Sequence, residues 1–169
     1  MAQRKLGRPA DQRQALLRNQ VTYFLWYGKL ETTLDRAKEI RRIAEKFITM
    51  AMKEYDQTVE VTKKVNNEKD QTVEVTFVND APSKLAARRA MLAYLYRIPD
   101  VRRPDEEKED FEERTKGIKN PLVEKIFREY GPKYRERKEK TGQGGGYTRI
   151  IRKGPRKGDA AEMVLLELV

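Results

Sequence analysis

The chain has 169 residues, with 37 Lys and Arg against 27 Asp and Glu, giving a formal charge of +10. That excess favours polyanions through phosphate contacts and counterion release, so nucleic acid leads the expected partners. No Cys and no His occur, which excludes disulfides, thiolate metal sites and the commonest general base.

Residues 1–10 set Arg4, Lys5 and Arg8 around Gly7, Pro9 and one isolated Leu6, too little to bury a face. An extended basic arm that orders on RNA is expected there; a solvated terminus is the plainer alternative. From Asp11, a candidate cap, Leu17, Val21, Phe24 and Leu25 recur at helical spacing until Gly28, with Arg13 and Arg18 off the apolar stripe. Residues 29–33 read as a short strand. Thr32 or Thr33 then caps a helix over about 34–54, whose stripe is Leu34, Ala37, Ile40, Ala44, Phe47, Ile48 and Ala51. Lys38, Arg42 and Lys46 stand four apart on another face. Such a row can follow a phosphate ridge, or it is a solvated face balanced by Glu39 and Glu45.

The hexapeptide Gln57-Thr58-Val59-Glu60-Val61-Thr62 returns as Gln71-Thr72-Val73-Glu74-Val75-Thr76. Both copies alternate at the strand period, with Asn66-Asn67 as the turn, so 55–80 is expected to be an inserted hairpin without a site. Pro82-Ser83 opens a helix over about 83–96 with Leu85, Leu92 and Leu95 inward and Arg88-Arg89 outward. Pro99 and Pro104 break the chain before the run Asp105-Glu106-Glu107-Lys108-Glu109-Asp110. Clustered carboxylates can hold Mg²⁺ in a nuclease, but a solvated loop or helix face is the expectation for this run.

Asn120-Pro121 starts a further helix along Leu122, Val123, Ile126, Phe127 and Tyr130, and Gly131-Pro132 is expected to close it. In Lys133-Tyr134-Arg135-Glu136-Arg137-Lys138 the aromatic could reach unpaired bases, or the segment is a solvated basic linker. The cluster Gly142-Gln143-Gly144-Gly145-Gly146 precedes a strand rather than a helix, so it is a lead-in and not a nucleotide loop. A terminal hairpin follows, with Ile150 and Ile151 on one strand and Met163 to Val169 on the other. Its tip crowds Lys153, Arg156 and Lys157 between Gly154 and Gly158, a form suited to insertion against folded RNA. Residues 1–53 carry net +7, residues 54–130 net −2 and residues 131–169 net +5. A basic core built from both ends, with less committed material between them, is therefore expected. No stretch approaches the ~18 apolar residues of a spanning helix, and no signal-peptide core follows the basic start. One domain over 1–169, cytoplasmic and with no membrane partner, is expected.

Several blocks stand in a familiar order: Arg4-Lys5-Leu6-Gly7-Arg8, Leu16-Leu17-Arg18-Asn19-Gln20-Val21-Thr22, Glu31-Thr32-Thr33-Leu34 and the run Lys38 to Lys46. Gly146-Tyr147-Thr148-Arg149-Ile150, Gly154 to Ala161 and Glu167-Leu168-Val169 complete the set. The chain resembles the seventeenth-protein family of the bacterial large ribosomal subunit over roughly 3–54, 83–97 and 121–169. Gln3 and Gln12 stand where members often carry His, and 55–80 and about 99–120 look inserted relative to shorter members. The resemblance implies an α/β (α+β) domain, with four main helices on a small mixed sheet of about three strands formed by 29–33 and the C-terminal hairpin. It implies a structural, non-enzymatic role in translation, with no cofactor, no metal and no small-molecule substrate. Its partners would be large-subunit ribosomal RNA near the outer end of the exit tunnel and neighbouring ribosomal proteins, the L-thirty-two protein a candidate among them. The residues expected to carry RNA contacts are Arg4, Lys5, Arg8, Arg13, Arg18, Lys38, Arg42, Lys46, Arg149, Lys153, Arg156 and Lys157.

Overall fold

The structure, a computed structural model, describes residues 4–66 and 72–169. In chain order it runs α1 (Ala10–Tyr27), β1 (Lys29–Thr33), α2 (Leu34–Glu54), β2 (Thr58–Asn66), β3 (Thr72–Asp80), α3 (Pro82–Tyr94) and α4 (Lys108–Thr115). Then follow α5 (Pro121–Lys125), a π-turn (Ile126–Tyr130), α6 (Gly131–Thr141), β4 (Thr148–Pro155) and β5 (Glu162–Leu168).

α2 is the central element because its stripe is apolar on the side facing everything else. Ala37, Ile40, Ala44, Phe47, Ile48 and Ala51 are buried there, and α1, α3, α6 and the sheet all pack on it. Each fully buried large aliphatic side chain contributes roughly 1.5–3 kcal/mol of transfer free energy. α1 buries Leu17, Val21, Phe24 and Leu25 as its periodicity requires. It begins one residue before the expected cap: Pro9 is the N-cap, and Asp11 lies in the first turn, where its charge suits the helix dipole. Gly28 closes α1 at φ 75°, its N–H donating to the Phe24 carbonyl at 2.8 Å.

The main sheet has the order β1-β5-β4, assembled from 29–33 and the C-terminal hairpin as the resemblance implied. Both pairings are antiparallel, so the sheet is not mixed. Leu30, Leu166 and Ile150 lie in one register row with their side chains toward the helices. β2 and β3 form a separate antiparallel hairpin from Thr58↔Asp80 to Asn66↔Thr72; of the expected turn, Asn66 ends β2, while Asn67 and the first residue of the second hexapeptide, Gln71, lie outside the described residues.

Three local expectations fail, each for a tertiary reason. α3 turns Lys84, Ala87 and Met91 inward, with Leu95 just after it; Leu85 is half-buried and Leu92 is exposed. Lys84 is drawn in because its Nζ donates to the Tyr55 carbonyl at 2.8 Å and pairs with Asp80 at 3.4 Å. Second, Arg88 does not face outward: it binds Asp80 (Nε to Oδ2, 2.5 Å) and Glu124 and lies 5.1 Å from the centre of the Phe127 ring. Third, Gly131-Pro132 does not end a helix. Pro132 has no N–H for the usual i→i−4 bond, and the chain passes it through the π-turn and continues as α6. A Cβ at Gly131 would sit 2.8 Å from Tyr55 Cβ, so the glycine is there for close approach to α2. Tyr134 is consequently buried against Tyr147, ring centres 4.7 Å apart, and is not available to bases.

Candidate nucleic-acid interface

The twelve expected cations fall into three groups, and the fold treats their members differently. In the first group the arm is not extended. Leu6 (φ 55°) and Gly7 (φ 64°) turn it, Arg8 N–H donates to the Lys5 carbonyl at 3.2 Å, and Leu6 packs against the core. Arg4 reaches Asp35 at 3.1 Å and Glu39 at 3.3 Å, and Arg13 reaches Glu39 at 3.2 Å while its Nε donates to the Arg4 carbonyl. Glu39 is 5% exposed. A carboxylate so buried needs compensation, and these two guanidiniums supply it. Arg4 and Arg13 therefore fasten the arm, while Lys5 and Arg8 remain exposed on it.

The second group lies on α2 and its neighbours. Arg42 and Lys46 are exposed and Lys38 half-buried, and none of the three has an ion pair among the described residues. Glu39 is committed to the arm. Glu45 pairs with Arg41 at 3.2 Å and accepts from the Thr148 hydroxyl at 2.7 Å. The two acids that could have balanced the row are thus engaged elsewhere, and the row's charge stands uncompensated. Arg18 serves the fold itself, donating to the Tyr94 carbonyl at 2.7 Å and the Ala93 carbonyl at 3.2 Å and so capping the end of α3. Its guanidinium also lies 4.6 Å from the centre of the Tyr96 ring. Between α1, α2 and α3 a cavity of about 690 Å³ opens, with Arg13, Arg18, Arg42 and Lys46 around Phe47 and Tyr94.

The third group is the β4–β5 hairpin. Arg149 lies 4.0 Å from Glu167, and Lys153 lies 2.7 Å from Glu31 on β1. The bulge between Arg152 and Gly154, with Gly154 at φ 101°, reorients the strand at Lys153. The second left-handed residue of the tip is Ala160 (φ 54°), not Gly158. Arg156 N–H donates to the Ala161 carbonyl and Ala160 N–H to the Arg156 carbonyl, each at 2.9 Å. The Arg156 guanidinium bonds Asp159 at 2.9 and 2.6 Å. That bond, with the Ala161 N–H, holds the Asp159 carboxyl down at about 2. Lys157 is exposed without an ion pair among the described residues. Arg152 on the same hairpin is a further exposed cation, paired with Glu162 at 3.2 Å.

The acidic run does not converge on a point. Glu106 binds Arg114 at 2.7 Å and the Arg103 N–H at 3.1 Å, contacts that bring its pKa to about 2, and Arg114 also takes Asp100. Much of the run forms the exposed face of α4, as a solvated charge run should. Among the described residues no group of three acidic side chains could hold a metal ion, and no helix is long and apolar enough to cross a membrane.

The family model described as Ribosomal protein L17 matches residues 16–169. A protein of Acetivibrio thermocellus named "Large ribosomal subunit protein bL17" is 41% identical over 192 aligned positions, covering 99% of each chain. Proteins of that name from Lachnospira eligens and Clostridium acetobutylicum are 44% and 39% identical, the alignments covering 98% of this chain and 98% and 96% of theirs. The ordered blocks of the sequence, the sheet they build and these full-length matches agree: the chain belongs to the ribosomal protein L17 family, whose role is structural and not enzymatic.

Proposed function

We propose that this chain is a structural constituent of the large ribosomal subunit, holding ribosomal RNA by electrostatics and shape in the cytoplasm. The observation that carries this reading is the uncompensated row Lys38, Arg42 and Lys46, joined by the exposed Lys5 and Arg8 of the arm and by the exposed Lys157 of the hairpin tip. Cations without acidic partners give up no ion pair when they meet a phosphate, so their full charge goes into counterion release. Arg149, Lys153 and Arg156 would exchange exposed ion pairs, each worth little in water, for phosphate contacts. Arg4, Arg13 and Arg18 act mainly by fixing the arm and α3 in place for their neighbours. The segments 55–80 and 99–120 stand as insertions away from the RNA, toward solvent or a neighbouring ribosomal protein, for which the L-thirty-two protein is a candidate.

The test is sedimentation of a cell lysate through a sucrose gradient with a salt wash. The protein should travel with the large subunit, and Arg8→Ala and Arg156→Ala together should weaken its retention as salt rises. A protein found free at low salt would overturn the proposal.

A further inference from the structure

We infer that the slot between α1, α2 and α3 receives one unpaired nucleotide of the bound RNA, its base on the apolar floor and its phosphate against Arg42 and Lys46. The inference rests on the RNA-binding reading above and adds to it a specific socket.

A cation row that only tracks a duplex ridge has no use for a hollow beside it. Here the hollow is about 690 Å³, within the range that accepts a nucleotide-sized ligand. Its floor is apolar, with the half-buried Tyr94 and Met50 reaching the slot and the buried Phe47 and Leu17 behind them, the Phe47 and Tyr94 rings tilted at 50° with centres 5.4 Å apart. Such a surface offers phosphate nothing, but it suits the face of an unstacked base, which proteins that read single-stranded RNA place on aromatic and guanidinium planes. The rim is charged by Arg42 and Lys46, which have no ion pair among the described residues. The acid at the slot, Glu39, is already held by Arg4 and Arg13. The wall on α3 is built from Ala90 and Ala93, both exposed, whose single methyl groups keep the slot open. Apolar floor, cationic rim and small wall residues meet at this place, and that combination selects a nucleotide over a bare phosphate.

The wall provides the test. Ala93→Phe and, separately, Ala90→Phe narrow the slot at exposed positions without altering any charge, and circular dichroism checks that each variant is folded. Affinity for deproteinised bacterial large-subunit ribosomal RNA is measured by filter binding across a salt series. Ultraviolet cross-linking of the unaltered protein and of Ala93→Phe to the same RNA is mapped by peptide mass spectrometry. The expected result is a loss of affinity of roughly ten-fold or more for the filled slot with an unchanged salt slope. A cross-link within residues 90–97, which contain Tyr94 and Tyr96, is expected in the parent and absent in Ala93→Phe. If both wall variants bind as the parent does, and cross-links fall only on the arm or the hairpin, the slot is not a nucleotide socket while the RNA-binding reading stands. If the parent shows no salt-dependent affinity for the RNA, that reading falls and the socket falls with it.

Discussion

Replacing Gly131 by alanine puts two physical effects of opposite sign against each other. Alanine in a helix is favoured over glycine by about 1 kcal/mol. At this position, however, the new Cβ would lie 2.8 Å from Tyr55 Cβ, 3.1 Å from Tyr55 Cγ and 3.3 Å from the Ala51 carbonyl oxygen. Two of those atoms belong to the stem of a side chain and one to the backbone of α2, so relief requires α6 to move away from α2. Overpacking of this kind costs roughly 1–3 kcal/mol, and the clash outweighs the propensity gain. Atoms held this close by the backbone put the cost in the upper part of that range, so the net expectation is a loss of about 1–2 kcal/mol, or roughly 2–8 °C in Tm for a chain of this size. Thermal unfolding followed by circular dichroism reads it directly. The loss caused by Gly131→Ala should be smaller in a Tyr55→Gly background, because that change removes both Tyr55 carbons from the clash, while the Ala51 carbonyl oxygen remains. An unchanged or raised Tm for Gly131→Ala would refute the claim that close approach, rather than helix termination, explains the glycine.

Arg88→Met should destabilise the chain by roughly 2 kcal/mol, because it leaves Asp80 and Glu124 half-desolvated without their shared partner; urea unfolding midpoints check this, and an unshifted midpoint would contradict it. The same network predicts acid sensitivity. Burial works to raise the Asp80 pKa, but the hydrogen bond and charge of Arg88, joined by Lys84, outweigh it and hold the carboxyl below its ordinary 3.8. A carboxyl depressed in the folded state stabilises the fold above its unfolded pKa, and that contribution is lost as pH falls through the folded value. Below about pH 4 the parent should therefore lose more stability than Asp80→Asn does over the same interval; equal losses would show that Asp80 is not the titrating group.

Much of the fold was legible because its signals were local. The apolar stripe of α2, the stop at Gly28 and the alternation in both hairpins are periodicities that neighbouring residues impose on one another. The failures lie where a distant residue decides. Gly131-Pro132 reads as a terminator until Tyr55 and Ala51, some eighty residues earlier in the chain, are packed against it. Leu92 loses its inward place on α3 to Met91 and to the stem of Lys84, whose amine has a carbonyl to reach. The site divides in the same way. Residue type alone marked the cations, but only the fold shows that Arg4 and Arg13 serve the buried Glu39 while Lys38, Arg42 and Lys46 stay uncompensated. The slot beside that row could not be read from spacing, because its α3 wall lies more than forty residues beyond α2's cations.

The central claim, that uncompensated charge on α2 meets RNA phosphates, is tested most directly by the salt dependence of affinity for large-subunit ribosomal RNA. Each phosphate contact contributes about 0.7–0.9 to the slope of log K against log salt. Changing Lys38, Arg42 and Lys46 together to Gln should therefore reduce that slope by roughly 2–3. A triple variant that keeps the parent's slope and affinity would show that the row faces solvent and that the RNA is held elsewhere.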